Sequence, residues 1–264
     1  MKQWLQKPPF GVPVNRGNSF AKGVVACWQM TDGGLFVQDL TGNGNNLTSV
    51  IGTPYRTSGL FGRDAVYFEE ASNECLYIPK KVVSPPFTII AWVRSDLGYS
   101  AGDSFVVGMG GVSTYHEWWL GAMGNGVNSP YMLGHDGLTR LAMSGTEGMT
   151  VGKWHQIIGI VDVNKYQKVG LDGRIIAVNN VACNPTVTQT SIGDVRSRDA
   201  GSYPFTGAID HVLVYDRELS AFEIQRLCNE PFRMFEQSPI ELWTPAINGP
   251  EPSPIIYDYS VAIG

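Results

Sequence analysis

The chain has 264 residues, a formal net charge of −5, a pI near 5.4 and only 16% charged residues. Nucleic acid is therefore not an expected partner, because domains that bind it carry a marked positive charge. Hydrophobic residues make up 43% of the chain, with 11% aromatics, which excludes a disordered chain and provides for a sizeable core.

Neither a membrane span nor a signal peptide is predicted. No run reaches 18 consecutive apolar residues, and the start, "MKQWLQKPPFGVP", lacks an apolar core and a small-residue cleavage site. The four cysteines are far apart and make no C-x-x-C spacing, so we expect buried, reduced thiols and synthesis in a reducing cytoplasm. They are Cys27, Cys75, Cys183 and Cys228.

Taken in chain order, the segments are almost all of β type. They are short, rich in Val, Ile and aromatic residues, and separated by Gly, Asn, Asp or Pro. They read "GVVACWQM", "LTSVIG", "AVYFE", "CLYIP", "FTIIAWVRS", "SFVVGMG", "EWWLGAM", "YMLGH", "KWHQIIGIVD", "KVGLDGRIIAV", "TSIGDV" and "AIDHVLVYD". Many strands without interleaved helices predict an all-β, antiparallel jelly-roll β-sandwich.

Two local signals are specific. "LDGR", Leu171 to Arg174, predicts a tight hairpin with Asp-Gly in a two-residue loop. "LSAFEIQRLCNE" predicts one short helix near the C-terminal end, with Ser220 and Glu223 as a capping box. Phe222, Ile224 and Leu227 are expected to pack.

The two ends differ from the middle. Residues 1–22 and 231–264 are proline-containing and show little periodicity, so we expect an N-terminal arm and a Pro-rich C-terminal extension around a domain at 23–230. The aromatic residues Phe232, Phe235, Trp243 and Tyr257 would expose apolar surface on a monomer, which favours a homo-oligomer.

Four motifs in series resemble laminin-G-like, concanavalin-A-like jelly-roll domains. They are "KGVVACWQMTDGGLFVQDLTGNGNNLT", "PFTIIAWVRS", "GKWHQIIGIVDVNKYQKVGLDGRIIA" and "FTGAIDHVLVYDRELSAFEIQRL", and together they cover roughly residues 23–229. The flanks "PPFGVPVNRGNSFAKG" and "NEPFRMF" resemble domains of this family that tailed bacteriophages encode.

The resemblance implies a non-catalytic structural protein of a phage particle, as head decoration or as a tail or fibre component. It would be made in the host cytoplasm and contact other virion proteins, and by analogy with virion spikes the oligomer would be a trimer. The fold would either bind glycans or serve purely as a building block of the particle. The alternative is a polysaccharide-degrading enzyme of the same fold, which needs two carboxylates on one strand face. The chain contains no Glu-x-Asp, and its near miss, Asp216-x-Glu218, falls at a turn.

The candidate glycan-binding stretch is "STYHEWWLGAMGNGVNSPY". It concentrates aromatic rings and amide groups, the two kinds of group that hold the faces and hydroxyls of sugars. The alternative is that both tryptophans are buried, one in the core and one under a loop. The predicted ligand residues are Tyr115, His116, Trp118, Trp119, Asn125 and Asn128.

The loop Asp39–Asn46, "DLTGNGNN", is a candidate calcium site. A nucleotide site is excluded because a strand follows and not a helix. Calcium prefers carboxylate, amide and carbonyl oxygens, and in jelly rolls of this type the last strand would bring Asp210 beside Asp39 and Asn43. The alternative is a turn in which Asp39 accepts from its own backbone.

Overall fold

The computed structural model describes residues 6–31, 36–96, 104–111, 116–123, 128–137, 140–144, 147–194 and 204–235. In these ranges the chain forms fifteen strands and one α-helix, α1 (Ala221–Asn229). The strands are β1 (Val24–Gln29), β2 (Ser49–Ile51), β3 (Tyr55–Ser58), β4 (Asp64–Phe68), β5 (Cys75–Ile78), β6 (Phe87–Ser95), β7 (Ser104–Gly110), β8 (His116–Met123), β9 (Tyr131–Asp136), β10 (Arg140–Ser144), β11 (Trp154–Val161), β12 (Gln167–Leu171), β13 (Arg174–Asn179), β14 (Gln189–Ile192) and β15 (Gly207–Tyr215).

The strands form two antiparallel sheets that pack as a sandwich, which confirms the predicted fold class. The first sheet has the order β13-β12-β11-β6-β15-β4-β3, and β1 also pairs with β15. The second sheet has the order β10-β9-β8-β7-β14-β5-β2. The pairing of β1 with β15 places the first and last strands side by side, as the resemblance to jelly rolls of this type implied.

The main core lies between the two sheets. On β6 the residues Phe87, Ile89, Ala91 and Val93 point into it, and side chains of the second sheet such as Trp118 meet them. This alternation follows from the period of two along a strand, which sends every second side chain to the same face.

The opposite face of the first sheet is also covered. Ile90 and Trp92 of β6 point outward and pack against Val14 of the N-terminal segment, Ile224 of α1 and Phe232. Both ends of the described chain therefore form a cap on the outer face of the first sheet. We call residues 6–21 together with 221–235 the cap.

The hairpin and the helix form where the sequence predicted them. Asp172 and Gly173 have φ values of 46° and 87°, the positive values that the loop of a two-residue hairpin requires. Ser220 and Glu223 form both hydrogen bonds of a capping box, and Ile224 and Leu227 are buried. Phe222 is 65% exposed, so the expectation that it packs is wrong.

The described parts of both ends pack on the sandwich as the cap. Val14 is buried, Phe232 is 2% exposed and Met234 is fully buried, so Phe232 does not present apolar surface to solvent. The boundary predicted at residue 230 falls inside this packed segment. Trp243 and Tyr257 lie outside the described residues.

All four cysteines are thiols outside any disulfide, and Cys27, Cys75 and Cys183 are buried. In the parts of the chain described above, no helix has the length and apolar character that a membrane crossing would need.

Candidate functional site

The two tryptophans of the predicted glycan-binding stretch are buried on opposite faces of β8. Trp118 is 2% exposed and meets Phe87 edge-to-face in the main core, with ring centroids 6.1 Å apart. Trp119 is fully buried on the other face, where its ring lies 3.9 Å from that of Phe105 and packs with Tyr131. Neither indole is open to a ligand, so burial removes both from the predicted sugar surface.

Of the other predicted ligand residues, the structure describes His116 and Asn128, and both are half-buried. The Nδ1 of His116 accepts the backbone N–H of Thr186 at 3.3 Å. Asn128 uses its backbone carbonyl to accept from Met149. Tyr115 and Asn125 lie outside the described residues.

The loop Asp39–Asn46 is held by hydrogen bonds around one buried carboxylate. Asp39 is 3% exposed, and its Oδ1 accepts the N–H of Cys27 at 3.1 Å and that of Thr41 at 3.0 Å. Its Oδ2 accepts the N–H of Asn45 at 3.1 Å. The bond to Thr41, two residues along, is that of an Asx-turn.

The predicted calcium ligands do not converge. The Oδ1 of Asn43 accepts from the guanidinium of Arg16 at 2.9 Å. Asp210 pairs instead with the Lys7 ammonium at 3.0 Å. Each oxygen of the proposed set thus already faces a nitrogen donor. In the described ranges no three His, Cys, Asp or Glu side chains gather as metal ligands, so the hydrogen bonds favour the turn over the metal.

A different set of side chains forms a row across the outer face of the first sheet, beside the cap. The row crosses β11, β6, β15, β4 and β3 in that order, with one residue from each strand directly opposite the next. These residues are Trp154, Arg94, Ala208, Tyr67 and Tyr55. Directly opposed residues point to the same face. Five neighbouring strands spaced about 4.8 Å apart give the row a length of roughly 19 Å. We call these five residues the aromatic row.

The outer position of the row follows from its neighbours along each strand. Val66 and Phe68 on either side of Tyr67, and Val93 before Arg94, all belong to the core between the sheets. Alternation therefore turns Tyr67 and Arg94 away from that core. The sequence carried this signal in "AVYFE" and "AWVRS", but the register that joins five strands could not be read from it.

The side chains of the row contact one another in two pairs. Tyr55 and Tyr67 are stacked with centroids 5.0 Å apart and an angle of 26° between their planes. The Arg94 guanidinium lies 5.5 Å from the centroid of the Trp154 ring, within cation–π range. Tyr55 is 47% exposed on the edge strand, while Tyr67 and Trp154 are half-buried. The row thus contains rings that are held in place by a neighbouring side chain, and part of the Tyr55 ring is exposed to solvent.

Carboxylates next to the row neutralise its arginine, and burial together with these carboxylates raises the pKa values of its tyrosines. Both oxygens of Asp96 accept from Arg94 at 3.0 Å, a bidentate pair that raises the pKa of the guanidinium. Burial, and then the charge of Asp96, raises the pKa of Tyr67. Burial, and then the charge of Glu69, raises the pKa of Tyr55. The hydroxyl of Tyr67 donates to Asp96 and that of Tyr55 to Glu69, and the only cation in the row is already neutralised.

A buried carboxylate supports the edge strand that carries Tyr55. Glu74 is 2% exposed, and its two oxygens accept the N–H groups of Thr53 at 3.1 Å and Glu69 at 2.9 Å. Thr53 comes two residues before Tyr55, so this contact anchors the start of β3. The arrangement can therefore hold a ring face and its hydroxyls without large rearrangement.

A family profile identifies the class of protein. The profile described as the Concanavalin A-like lectin/glucanases superfamily, of laminin-G type, matches residues 71–225. The chain belongs to this superfamily, and its two-sheet sandwich is the lectin-like fold of that name. No curated protein is similar enough in sequence to count as a match.

Solved structures share the fold at low sequence identity. Domain 4 of AbnA, an extracellular arabinanase from Geobacillus stearothermophilus solved with arabinotriose, has a TM-score of 0.61 and 19% identity over 78% of this chain and 98% of its own. The binding domain of Paraclostridial Mosquitocidal Protein 1 has a TM-score of 0.62 and 14% identity over 80% of this chain and 53% of its own.

The receptor-binding domain of botulinum neurotoxin type G has a TM-score of 0.59 and 13% identity over 79% of this chain and 51% of its own. The chain thus spans about half the length of the two toxin chains that it matches.

Proposed function

We propose that this protein is a non-catalytic carbohydrate-binding protein, and that the aromatic row is its binding surface. The observation that carries the proposal is the in-register alignment of Tyr55, Tyr67, Arg94 and Trp154 on the outer face of the first sheet, where Tyr55 is 47% exposed. Sugar rings present apolar C–H faces to aromatic rings, and their hydroxyls need polar partners at the edge. The row offers both.

The charge of the surroundings favours neutral sugars. Arg94 is paired with Asp96, and Glu69 lies close enough to Tyr55 to raise its pKa. An acidic sugar would meet these carboxylates, and Arg94, the one cation of the row, is already paired. Domain 4 of AbnA, a structural neighbour, was solved with the neutral oligosaccharide arabinotriose, which makes neutral pentose and hexose oligomers the first ligands to test.

Binding fits the contacts around the row better than hydrolysis does. Glycoside hydrolysis needs one carboxylic acid and one carboxylate free to act on opposite sides of a bond. Both oxygens of Asp96 accept from Arg94, and both oxygens of Glu74 accept backbone N–H groups. A polysaccharide-degrading enzyme remains the alternative, and release of reducing ends from a bound polysaccharide would favour it.

The test is binding of the full chain to an array of neutral oligosaccharides. The double variant Tyr55→Ala/Trp154→Ala should lose about tenfold or more in affinity, since each aromatic contact contributes roughly 0.5–1.5 kcal/mol beyond area burial. Phe222→Ala is the matched control, because Phe222 is equally aromatic and 65% exposed but lies on α1. Equal binding by the double variant and the wild type would overturn this assignment.

The finer role that we propose is a structural component of a tailed-phage particle, as head decoration or in the tail or fibre. Its support is the sequence resemblance of the two segments that flank the sandwich, which here build the cap. Virion neighbours, location on the particle and a homo-oligomer, with a trimer by analogy, belong to the same proposal. Labelling of this protein on purified particles tests it, and particles that lack the label would contradict it.

A further inference from the structure

A cleft with two arginines lies on the other side of the β3–β4 hairpin from Tyr55 and Tyr67. Its described lining consists of Phe10, Thr31, Arg56, Arg63 and Asp64, and its volume is about 470 Å³. Arg56 follows Tyr55 directly on β3, so strand alternation sends the two side chains to opposite faces. We call these five residues the arginine cleft. Its volume lies within the range of about 300–1,000 Å³ typical of small-ligand sites.

The cationic groups of the cleft are weakly paired. The Nη1 of Arg56 lies 3.6 Å from the Oδ2 of Asp64, in a pair whose side chains are 60% and 49% exposed. Such exposed pairs contribute little. Arg63 donates from Nε to the carbonyl of Lys7 at 3.3 Å, and among the described residues it has no carboxylate within ion-pair distance. In the described lining of the cleft, two guanidinium groups thus face one carboxylate, that of Asp64.

The remaining walls suit a sugar more than a bare anion. Phe10 is 65% exposed, which is unusual for a side chain of that size, and its ring stands at the edge of the cleft. A narrow recess of about 10 Å³ shares Phe10 and Thr31 with the cleft and is also lined by Gln29, Gln38 and Leu40. An aromatic face, amides and guanidinium groups together match a ring that bears hydroxyls and one negative charge.

We propose that the arginine cleft binds a sugar unit that carries a carboxylate. The guanidinium fork matches a carboxylate in two parallel hydrogen bonds, and Phe10 offers its face to the ring. The inference rests on the proposed carbohydrate binding and adds a second site of opposite charge preference. The aromatic row takes neutral units on one side of the β3–β4 hairpin, and the arginine cleft takes an acidic unit on the other.

The experiment measures the full chain against pairs of oligosaccharides that differ only in charge. Oligouronides and sialylated oligosaccharides are compared with their methyl-esterified or otherwise neutral parents, and sulfated sugars and inorganic sulfate serve as separate arms. The wild type should bind at least one carboxylated member more tightly than its neutral parent. Arg56→Gln/Arg63→Gln should lower that affinity about tenfold or more, the loss expected for one charge-assisted hydrogen bond.

The controls separate the two sites and guard against misfolding. Arg174→Gln removes an exposed arginine on β13, at the far edge of the same sheet, and should keep the preference for the acid. Arg56→Gln alone leaves the Arg63 contact to Lys7 intact and should show part of the loss. The melting temperatures of all variants are compared with that of the wild type.

The outcomes are distinguishable. A wild type that binds neutral sugars but shows no preference for any carboxylated member overturns the arginine cleft alone. The same holds if the double arginine variant keeps the preference, or if inorganic sulfate competes as well as the acidic sugar. Loss of acidic binding in the arginine variant, with no effect of Tyr55→Ala/Trp154→Ala on any sugar, would uphold the cleft and overturn the aromatic row.

Discussion

Lys7 and Asp210 form an ion pair in which both side chains are completely excluded from solvent, with 3.0 Å between Nζ and Oδ1. The ammonium also donates to the carbonyl of Asp64 at 2.6 Å, and the other oxygen of Asp210 accepts the N–H of Leu60 at 2.8 Å. Asp210 lies at a register shift in β15. The residues of β15 before Asp210 pair with β4, and those after it pair with β1. The N-terminal segment is thereby fastened to the centre of the first sheet.

Removal of one partner of this pair should destabilise the fold strongly. Lys7→Met leaves a buried carboxylate without its counter-charge, and breaking a buried pair in this way costs about 3–5 kcal/mol. Lys168→Met, which removes a partly exposed lysine paired with Glu218, should cost at most about 1 kcal/mol. Urea unfolding measures both.

The double variant Lys7→Met/Asp210→Asn checks the cause. Asparagine keeps an oxygen for the N–H of Leu60 but carries no charge, so much of the lost stability should return. A double variant as unstable as Lys7→Met would mean that packing of the N-terminal segment, and not the uncompensated charge, explains the loss.

Asp39 should be important for stability, while calcium should have no effect. Asp39→Ala leaves the buried N–H groups of Cys27 and Asn45 without their acceptor, and each such loss costs about 1–3 kcal/mol. Asn43→Ala, at an exposed position of the same loop, should change little. The melting temperature should be the same with calcium and with EDTA. A lower melting temperature in EDTA would instead support a calcium site at this loop.

Much of the fold could be predicted because its signals are local. The Asp-Gly hairpin depends on the φ values of Asp172 and Gly173, and the start of α1 depends on Ser220 and Glu223. Each is contained in a few residues, and strand alternation is equally local. Phe222 was misassigned because an apolar residue in a helix does not by itself say which face is covered.

The candidate site could not be predicted in the same way. The aromatic row joins residues from position 55 to position 208, and only the register of five strands brings them together. Conversely, "EWWLGAM" has the composition of a sugar site, but the loss of exposure of Trp119 depends on the packing of Phe105 and Tyr131 over it. Composition indicates chemistry, whereas exposure is decided by the whole fold.

The ion pair at the start of α1 predicts a specific dependence on pH. The Arg217 guanidinium, through its hydrogen bonds, lowers the pKa of Glu223 from 4.5 to about 2. A carboxyl whose pKa is lower in the folded state stabilises the fold above its unfolded pKa, and that contribution is lost as the pH falls from about 4.5 towards 2. Part of the acid destabilisation between these values should therefore come from Glu223.

Glu223→Gln isolates this effect, because glutamine can still complete the capping box. The variant should be less stable than the wild type at pH 7 and should approach it at pH 2.5, as measured by urea unfolding. Glu70→Gln, which alters an exposed carboxylate without an ion pair among the described residues, is the control. A constant difference between Glu223→Gln and the wild type at all pH values would contradict the account.

Phe232 should be a core residue despite its place near the C-terminal end of the described chain. Its ring lies 5.0 Å from that of Phe61, edge-to-face, and 5.0 Å from that of His211. Phe232→Ala should cost about 3–5 kcal/mol, as for other buried phenylalanines. Phe222→Ala should stay within about 0.5 kcal/mol of the wild type, and similar effects of the two substitutions would argue against the cap.

The central claim is that the aromatic row is where a glycan binds, and the position of a bound oligosaccharide in a crystal of the complex tests it most directly. The crystal is grown with the neutral oligosaccharide that binds most tightly on the array. The account predicts a sugar ring in van der Waals contact with the ring of Tyr55 or Trp154, with hydroxyls near Asp96. Density for the sugar beside Trp119 on the second sheet, or anywhere away from the row, would contradict it.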